Sequence, residues 1–165
     1  MTLWVVSDAS PLILLAKIGK LNLLKDLYCE IIIPSQVENE VMVHKDRATT
    51  LILSEIKKGW IKTRDAENSL DIVKLGEKLG LHKGETAALG VAKHLGINEI
   101  LEDDKLARIA ARILGLRAIG CLGVILKAYE TDVITRTEAI DSIEKLVKAG
   151  LWVSPEVLTD VFKSL

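Results

Sequence analysis

Short apolar runs alternate with longer segments of helical period along this chain, and that alternation restricts the fold more than any other feature of the sequence. Leu3-Trp4-Val5-Val6-Ser7 carries apolar residues in succession, not at every second place, and Cys29-Glu30-Ile31-Ile32-Ile33 and Ile97 to Leu101 read as the next strands. Such runs suit strands buried on both faces, as in parallel sheets. Arg117-Ala118-Ile119 reads as a further short strand, and Trp60-Ile61-Lys62-Thr63 as a short edge strand. Asp8-Ala9-Ser10-Pro11 opens a helix with a polar cap and a proline in the first turn; it stops at Gly19, and a short helix follows to about Leu27. Further helices are expected from Pro34 to about Val43, and over Leu51 to Lys58 after a polar interval around Lys45 to Thr50. Ser69 to Leu79, Gly84 to Leu95, Asp103 to Leu114 and Leu122 to Tyr129 follow, with terminal helices over Thr135 to Lys148 and Pro155 to Leu165. Strands and helices in this order argue an α/β fold whose parallel sheet is covered on both faces. In such sheets a site lies outside the carboxyl ends of the strands.

With 165 residues, 49% of them hydrophobic, the chain supports one core and one domain. Only 4% is aromatic, so that core is aliphatic. Lys and Arg number 22 against 23 Asp and Glu, a net charge of −1, which excludes a global basic field for holding long nucleic acid. A nucleic-acid role must rest on a local surface. Two cysteines, Cys29 and Cys121, are too few for a disulfide scaffold or a zinc cluster and fit a reducing cytosol. Met1 to Val6 lacks the positive start of a signal peptide, and the longest apolar run, Pro11 to Ala16, is cut by Lys17. The expectation is a soluble, cytoplasmic protein with no membrane partner. His44, His82 and His94 show no metal-ligand spacing, Trp4, Trp60 and Trp152 are scattered, and neither a dinucleotide-binding GxGxxG nor a P-loop is present.

The acidic residues carry the chemistry. Asp8 directly follows the first strand, and Asp103 and Asp104 follow the Ile97–Leu101 strand, one residue after Glu102. If both strands are central and parallel, these carboxylates converge on one edge of the sheet. Glu85 shares a helix face with Ala88, Leu89 and Ala92, so it begins an otherwise apolar stripe. Glu38 and Glu40 both lie on the helix after the second strand, and periodicity does not choose between them. Carboxylates gathered in a partly buried site repel one another and stay ionised only beside a cation. Oxygen ligands without His or Cys suit a hard ion, Mg²⁺ or Mn²⁺. One or two such ions activate water and stabilise a leaving oxygen in phosphodiester hydrolysis. Lys105, Arg108 and Arg112 form a positive stripe down the following helix, suited to guiding an RNA backbone or simply to solvation.

Four blocks, Val-Val-Ser-Asp8-Ala-Ser-Pro-Leu-Ile, Ile-Pro34-Ser-Gln-Val-Glu-Asn-Glu40-Val, His-Lys-Gly84-Glu85-Thr-Ala-Ala-Leu and Leu-Glu-Asp103-Asp104-Lys-Leu-Ala-Arg108, occur in this order. Together with Gly115 to Leu126 they resemble the acidic blocks of PIN-domain nucleases, in particular the prokaryotic branch related to VapC-type toxins. The resemblance covers about residues 3 to 130 and leaves 131–165 as a C-terminal helical extension. It implies a three-layer α/β/α fold and an endoribonuclease dependent on Mg²⁺ or Mn²⁺. Residue by residue it implies that Asp8, Glu40, Glu85 and Asp104 are the catalytic, metal-holding quartet, with Asp103 as a fifth ligand. Ser10 matches a small hydroxyl residue that orients a carboxylate or a water. The resemblance also implies an antitoxin partner and a homodimer. Glu85 stands where many VapC-type enzymes have Asp, and Glu102 where Thr or Ser is frequent. The alternative function is a PIN-like interaction module that binds an antitoxin or another protein. An aspartyl-phosphate phosphatase would need a second Asp two residues after the first, where this chain has Ser10.

Overall fold

The unbroken apolar runs become parallel strands. The computed structural model describes residues 4–165. In it β1 (Trp4–Ser7), β2 (Glu30–Ile33), β3 (Ile61–Thr63), β4 (Glu99–Leu101) and β5 (Arg117–Ile119) form one sheet in the order β3-β2-β1-β4-β5, every neighbouring pair parallel. Leu3, read above as part of the first strand, lies outside the described residues.

Successive side chains of each strand point to opposite faces, so each strand supplies two cores. Val5, Ile31, Ile33, Leu101 and Ile119 face one side, where α1 (Ala9–Lys17), α2 (Asn22–Leu27), α3 (Ser35–His44), α4 (Arg47–Lys58) and α8 (Cys121–Glu130) cover them. Val6, Ile32 and Ile100 face the other, under α5 (Leu70–Leu79), α6 (Lys83–Leu95) and α7 (Lys105–Ile113). Fully buried Leu12, Leu15, Leu24 and Ile31 show the aliphatic character of the larger core. Each such side chain contributes about 1.5–3 kcal/mol relative to exposure. α9 (Arg136–Lys148) and α10 (Pro155–Lys163) join that core through Ile143, Leu146 and Val161. The result is a three-layer α/β/α architecture. Among the described residues no helix is long and apolar enough to cross a membrane.

From β1 the chain builds outward through β2 and β3, and from β4 it builds the opposite way to β5. The order therefore reverses between β1 and β4, which opens a crevice at their carboxyl ends.

Several boundaries differ by a residue or more from the sequence reading, and hydrogen bonds explain two of them. α4 begins at Arg47 and not at Leu51, because the Thr49 amide donates to Asp46 Oδ1 (2.8 Å) while the Asp46 amide donates to Thr49 Oγ1 (3.0 Å). This reciprocal cap lies within a polar interval that shows no apolar period. β4 is shorter than the expected Ile97–Leu101 strand, since the Ile97 amide donates to the Ala92 carbonyl (2.9 Å) and completes the turn that ends α6.

At the β3 edge, buried Glu55 accepts from Trp60 Nε1 (2.6 Å) and from Lys58 Nζ (2.9 Å). Removing the carboxylate strands the indole N–H of a residue that is itself buried. Glu55→Ala is expected to lower unfolding free energy in urea by about 1–3 kcal/mol. Lys58→Ala, at a 62% exposed side chain, should cost less than about 1 kcal/mol.

Candidate metal centre

The register of β1 on β4 pairs Ser7 with Leu101. The ladder continues past both strands: the Asp8 amide donates to the Leu101 carbonyl (3.1 Å), and the Glu102 amide donates to the Ile119 carbonyl (3.0 Å). Asp8 and Glu102 thus emerge side by side at the switch between the two halves of the sheet. Glu85 joins them from the first turn of α6. One carboxylate oxygen from each of the three lies within 4.8 Å of the others, and all three residues are buried.

Hydrogen bonds fix two of these side chains. Glu85 Oε2 accepts from the His82 amide (3.0 Å), closing the start of α6, and Glu102 Oε1 accepts from the Asp104 amide (3.0 Å). Asp8 Oδ1 and Glu102 Oε2 are buried and have no hydrogen-bond partner among the described residues. A buried carboxylate oxygen without a donor is costly, and an oxygen-binding cation is the partner that would satisfy both at once. The donor set therefore fits a hard divalent ion.

Glu40 and Asp104 stand at the rim. Both are exposed. A β-carbon placed on Gly84 would come 3.1 Å from Glu40 Oε2 and 3.5 Å from Asp8 Oδ1, so the bare backbone of α6 lets these two carboxylates face each other. Glu38, which helix periodicity could not separate from Glu40, instead accepts from Thr63 Oγ1 (2.6 Å) beside the β3 edge. Asp104 caps α7 through Oδ2, which accepts from the Ala107 amide (2.9 Å).

Asp103 points elsewhere. Its Oδ1 accepts from the Cys121 amide (2.8 Å) and its Oδ2 from the Cys121 thiol (3.0 Å), so both oxygens tie the end of β4 to the start of α8. Burial pushes the Cys121 thiol up, which keeps its proton available for that bond. Asp103, expected as a fifth ligand, thereby acts as a brace between β4 and α8, and it lies outside the cluster of Asp8, Glu85 and Glu102. Ser10 sits half-buried in the first turn of α1. Of the basic stripe, Lys105 and Arg112 are exposed, and Arg108 Nη1 donates to the Glu102 carbonyl (3.0 Å). His44, His82 and His94 are all exposed and outside the carboxylate cluster.

Glu102 is the residue that sequence reasoning did not place in the site. Its signal was present: it is the residue after Leu101, as Asp8 is the residue after Ser7, and neighbouring parallel strands in register bring such residues together.

Burial is the main force on the ionisation of the cluster. It pushes Asp8 up to about 7, with Glu40 and Glu85 adding repulsion and the Ala9 amide opposing. It pushes Glu102 up to about 10, with Asp8 the next contributor. Glu85 is raised by burial and by Asp104 and Glu40, against the His82 amide.

Asp8 and Glu102 bind their protons more tightly in the folded chain than in the unfolded one, whose carboxyls titrate at about 4. The contribution of these two groups to the stability of the metal-free protein is therefore fullest below that range, and it is lost as pH rises through about 7 for Asp8 and on towards about 10 for Glu102. The melting temperature in chelator should fall between pH 5 and 8, by about a few degrees. Added Mn²⁺ should restore it, and Asp8→Asn should flatten the profile. For the brace, Asp103→Ala should cost about 1–3 kcal/mol in urea, by stranding the Cys121 amide. Its loss of Mn²⁺ affinity in calorimetry should be smaller than that of Glu102→Gln.

No curated protein matches the chain. A family model described as a PIN domain (DUF3368) matches residues 4–165. PIN domains form a nuclease superfamily that generally depends on divalent metal, and the buried acidic cluster at the switch point is compatible with that chemistry. With nearly its whole length matched, this chain belongs to the PIN-domain family.

Proposed function

We propose that this protein is an endoribonuclease dependent on Mg²⁺ or Mn²⁺, hydrolysing RNA phosphodiester bonds at the carboxylate centre between β1 and β4. The observation that carries the reading is the pair of buried, partnerless oxygens, Asp8 Oδ1 and Glu102 Oε2, gathered with Glu85.

In this reading Asp8, Glu85 and Glu102 hold the cation, and Glu40 and Asp104 complete the acidic rim. When bound, the cation activates a water for attack on phosphorus and stabilises the leaving oxygen. The chain's own groups do the positioning. The His82 and Asp104 amides hold one oxygen each of Glu85 and Glu102, which leaves the second oxygen of each side chain directed by a fixed rotamer. The amino terminus of α6 adds a partial positive charge beside Glu85 and offsets part of the crowding. Ser10, two residues after Asp8, serves in this reading to orient a carboxylate or a water. Lys105, Arg108 and Arg112 run down α7 from Asp104 and offer phosphate contacts to the bound strand.

The resemblance to VapC-type proteins supports a finer reading, a cytoplasmic toxin that acts as a homodimer and is restrained by an antitoxin covering this centre. A second reading, an interaction module, draws on α7, where Leu106, Ile109 and Ile113 are exposed at 44%, 36% and 63% along one helix face.

Calorimetric titration of Mn²⁺ into wild type and Asp8→Asn, with a parallel RNA cleavage assay, tests the proposal. Cleavage should require Mg²⁺ or Mn²⁺, stop in chelator, and fall by about 100-fold or more in Asp8→Asn, together with Mn²⁺ affinity. Equal cleavage by the two proteins would remove Asp8 from the mechanism. Absence of Mn²⁺ binding by wild type would favour the interaction module.

A further inference from the structure

α3 carries two carboxylates, and its packing separates them by a rotation about the helix axis. Val37 and Val41 of α3 are fully buried in the core. At about 100° per residue, Glu38 stands about 80° to one side of that buried stripe and Glu40 about 80° to the other. On the first side Thr63 Oγ1, at the end of β3, donates to Glu38 Oε2 (2.6 Å). On the second, Glu40 Oε2 and Val37 Cγ2 lie against the bare backbone of Gly84 in α6, where Asp8 Oδ1 also arrives. A turn of α3 that broke the Glu38 bond would therefore swing Glu40 away from Asp8. Glu40 itself is exposed and makes no hydrogen bond or ion pair among the described residues, so its place depends on the helix that carries it.

The start of α3 is fixed from the same place. The amide of its first residue, Ser35, has no partner within the helix, and the cap position is Pro34, whose side chain offers no acceptor. Asp65, 30 residues on, supplies one: its Oδ1 accepts from the Ser35 amide (2.9 Å). A carboxylate there also faces the positive end of the helix. Asp65 is brought to this point because the Arg64 amide donates to the Ile33 carbonyl (2.9 Å), which carries the β2–β3 ladder one residue beyond the strand. The far end of the same segment is seated on α6, where the Asn68 side chain fills the space a β-carbon at Gly90 would need. Residues 63–68 thus run between the helix that carries Glu40 and the helix that carries Glu85.

We infer that Thr63 and Asp65 are positioning residues for cation binding: they lock the rotation and the start of α3, and so hold the Glu40 carboxylate against Asp8 at the mouth of the centre. Neither touches the ion or the substrate. The inference rests on the metal reading above, in which Glu40 belongs to the acidic rim. It gives Glu38 a purpose as well, since the carboxylate that does not reach the centre is the one that aims its neighbour.

The test is calorimetric titration of Mn²⁺ into the full chain and its variants, with urea unfolding of each to follow the fold. Thr63→Val keeps the shape of the side chain and removes the donor, and Asp65→Ala removes the cap. Each should weaken Mn²⁺ binding by about 10-fold, the loss expected where a group that orients a ligand is removed. Asp65→Asn, whose amide oxygen still accepts from Ser35, should stay within about 2-fold of wild type. Glu55→Ala loosens the β3 edge through bonds to Trp60 and Lys58, none of them to α3, and should leave the affinity unchanged. In a Glu40→Gln background, Thr63→Val and Asp65→Ala should cost nothing further, because they act through Glu40. Losses of the same size in that background would mark a general effect on the fold and overturn the proposal. So would wild-type affinity in Thr63→Val and Asp65→Ala, unaltered binding in Glu40→Gln, or no Mn²⁺ binding by wild type. If wild type binds Mn²⁺ and fails to cleave RNA while these losses hold, the nuclease reading fails and the positioning stands. If wild type cleaves and the affinities do not change, the positioning alone fails.

Discussion

Parallel pairing of β1 with β4 is the contact on which the rest of this molecule depends. It joins the two oppositely growing halves of the sheet, and its register sets Asp8 next to Glu102 at the switch between them. Main-chain hydrogen bonds thus do work that side-chain attraction could not, since the two groups they bring together repel. The surrounding aliphatic layers hold that arrangement in place from both faces of the sheet. A shift of one residue in the pairing would turn Val5 and Val6 to the wrong cores as well as disperse the carboxylates, so packing and site geometry enforce the same register.

Without a cation the centre avoids unpaired buried charge by holding protons, since burial raises Asp8 to about 7 and Glu102 to about 10. Asp8 and Glu102 lie in a low-dielectric crevice with oxygens that receive no donor, and their nearest charged neighbours are other carboxylates. The fold tolerates this because its stability is supplied elsewhere, by the large core under α1, α2, α4 and α8. At the crevice it is single oxygens, Asp8 Oδ1 and Glu102 Oε2, that have no structural duty. Asp103, Glu38 and Glu55 are each held by specific donors and serve the scaffold. A family model spanning residues 4–165 and a cluster that fits a hard cation point in the same direction, although they were read from different properties of the chain.

Much of the fold was legible in the sequence because buried parallel strands and capped helices leave strong local marks. Runs such as Glu30–Ile33 and stops such as Gly80 and Gly96 give nearly the observed element order. What was not legible depends on partners distant in the chain. The start of α4 rests on a reciprocal bond between Asp46 and Thr49 inside a polar stretch. The division of labour between Glu38 and Glu40 is decided by Thr63 on one side and by α6 on the other. Asp103 and Asp104, adjacent in sequence, diverge because a helix start claims each of them: α8 the first, α7 the second. Asp8 and Glu85 stood out by position on a strand end and an apolar face, whereas Glu102 needed the β1–β4 register.

Gly84 gives the crevice a mechanical character. At this point α3 and α6 meet with only hydrogen atoms between the backbone of one and the Glu40 carboxylate of the other. A side chain at position 84 would press on Glu40 Oε2 and Asp8 Oδ1 at once, so the carboxylates of α3 and of the β1 end share one point of α6 backbone. The glycine at this place is thus demanded by the crowding of two acidic groups from distant parts of the chain and not by its own backbone angles, which are ordinary helical ones.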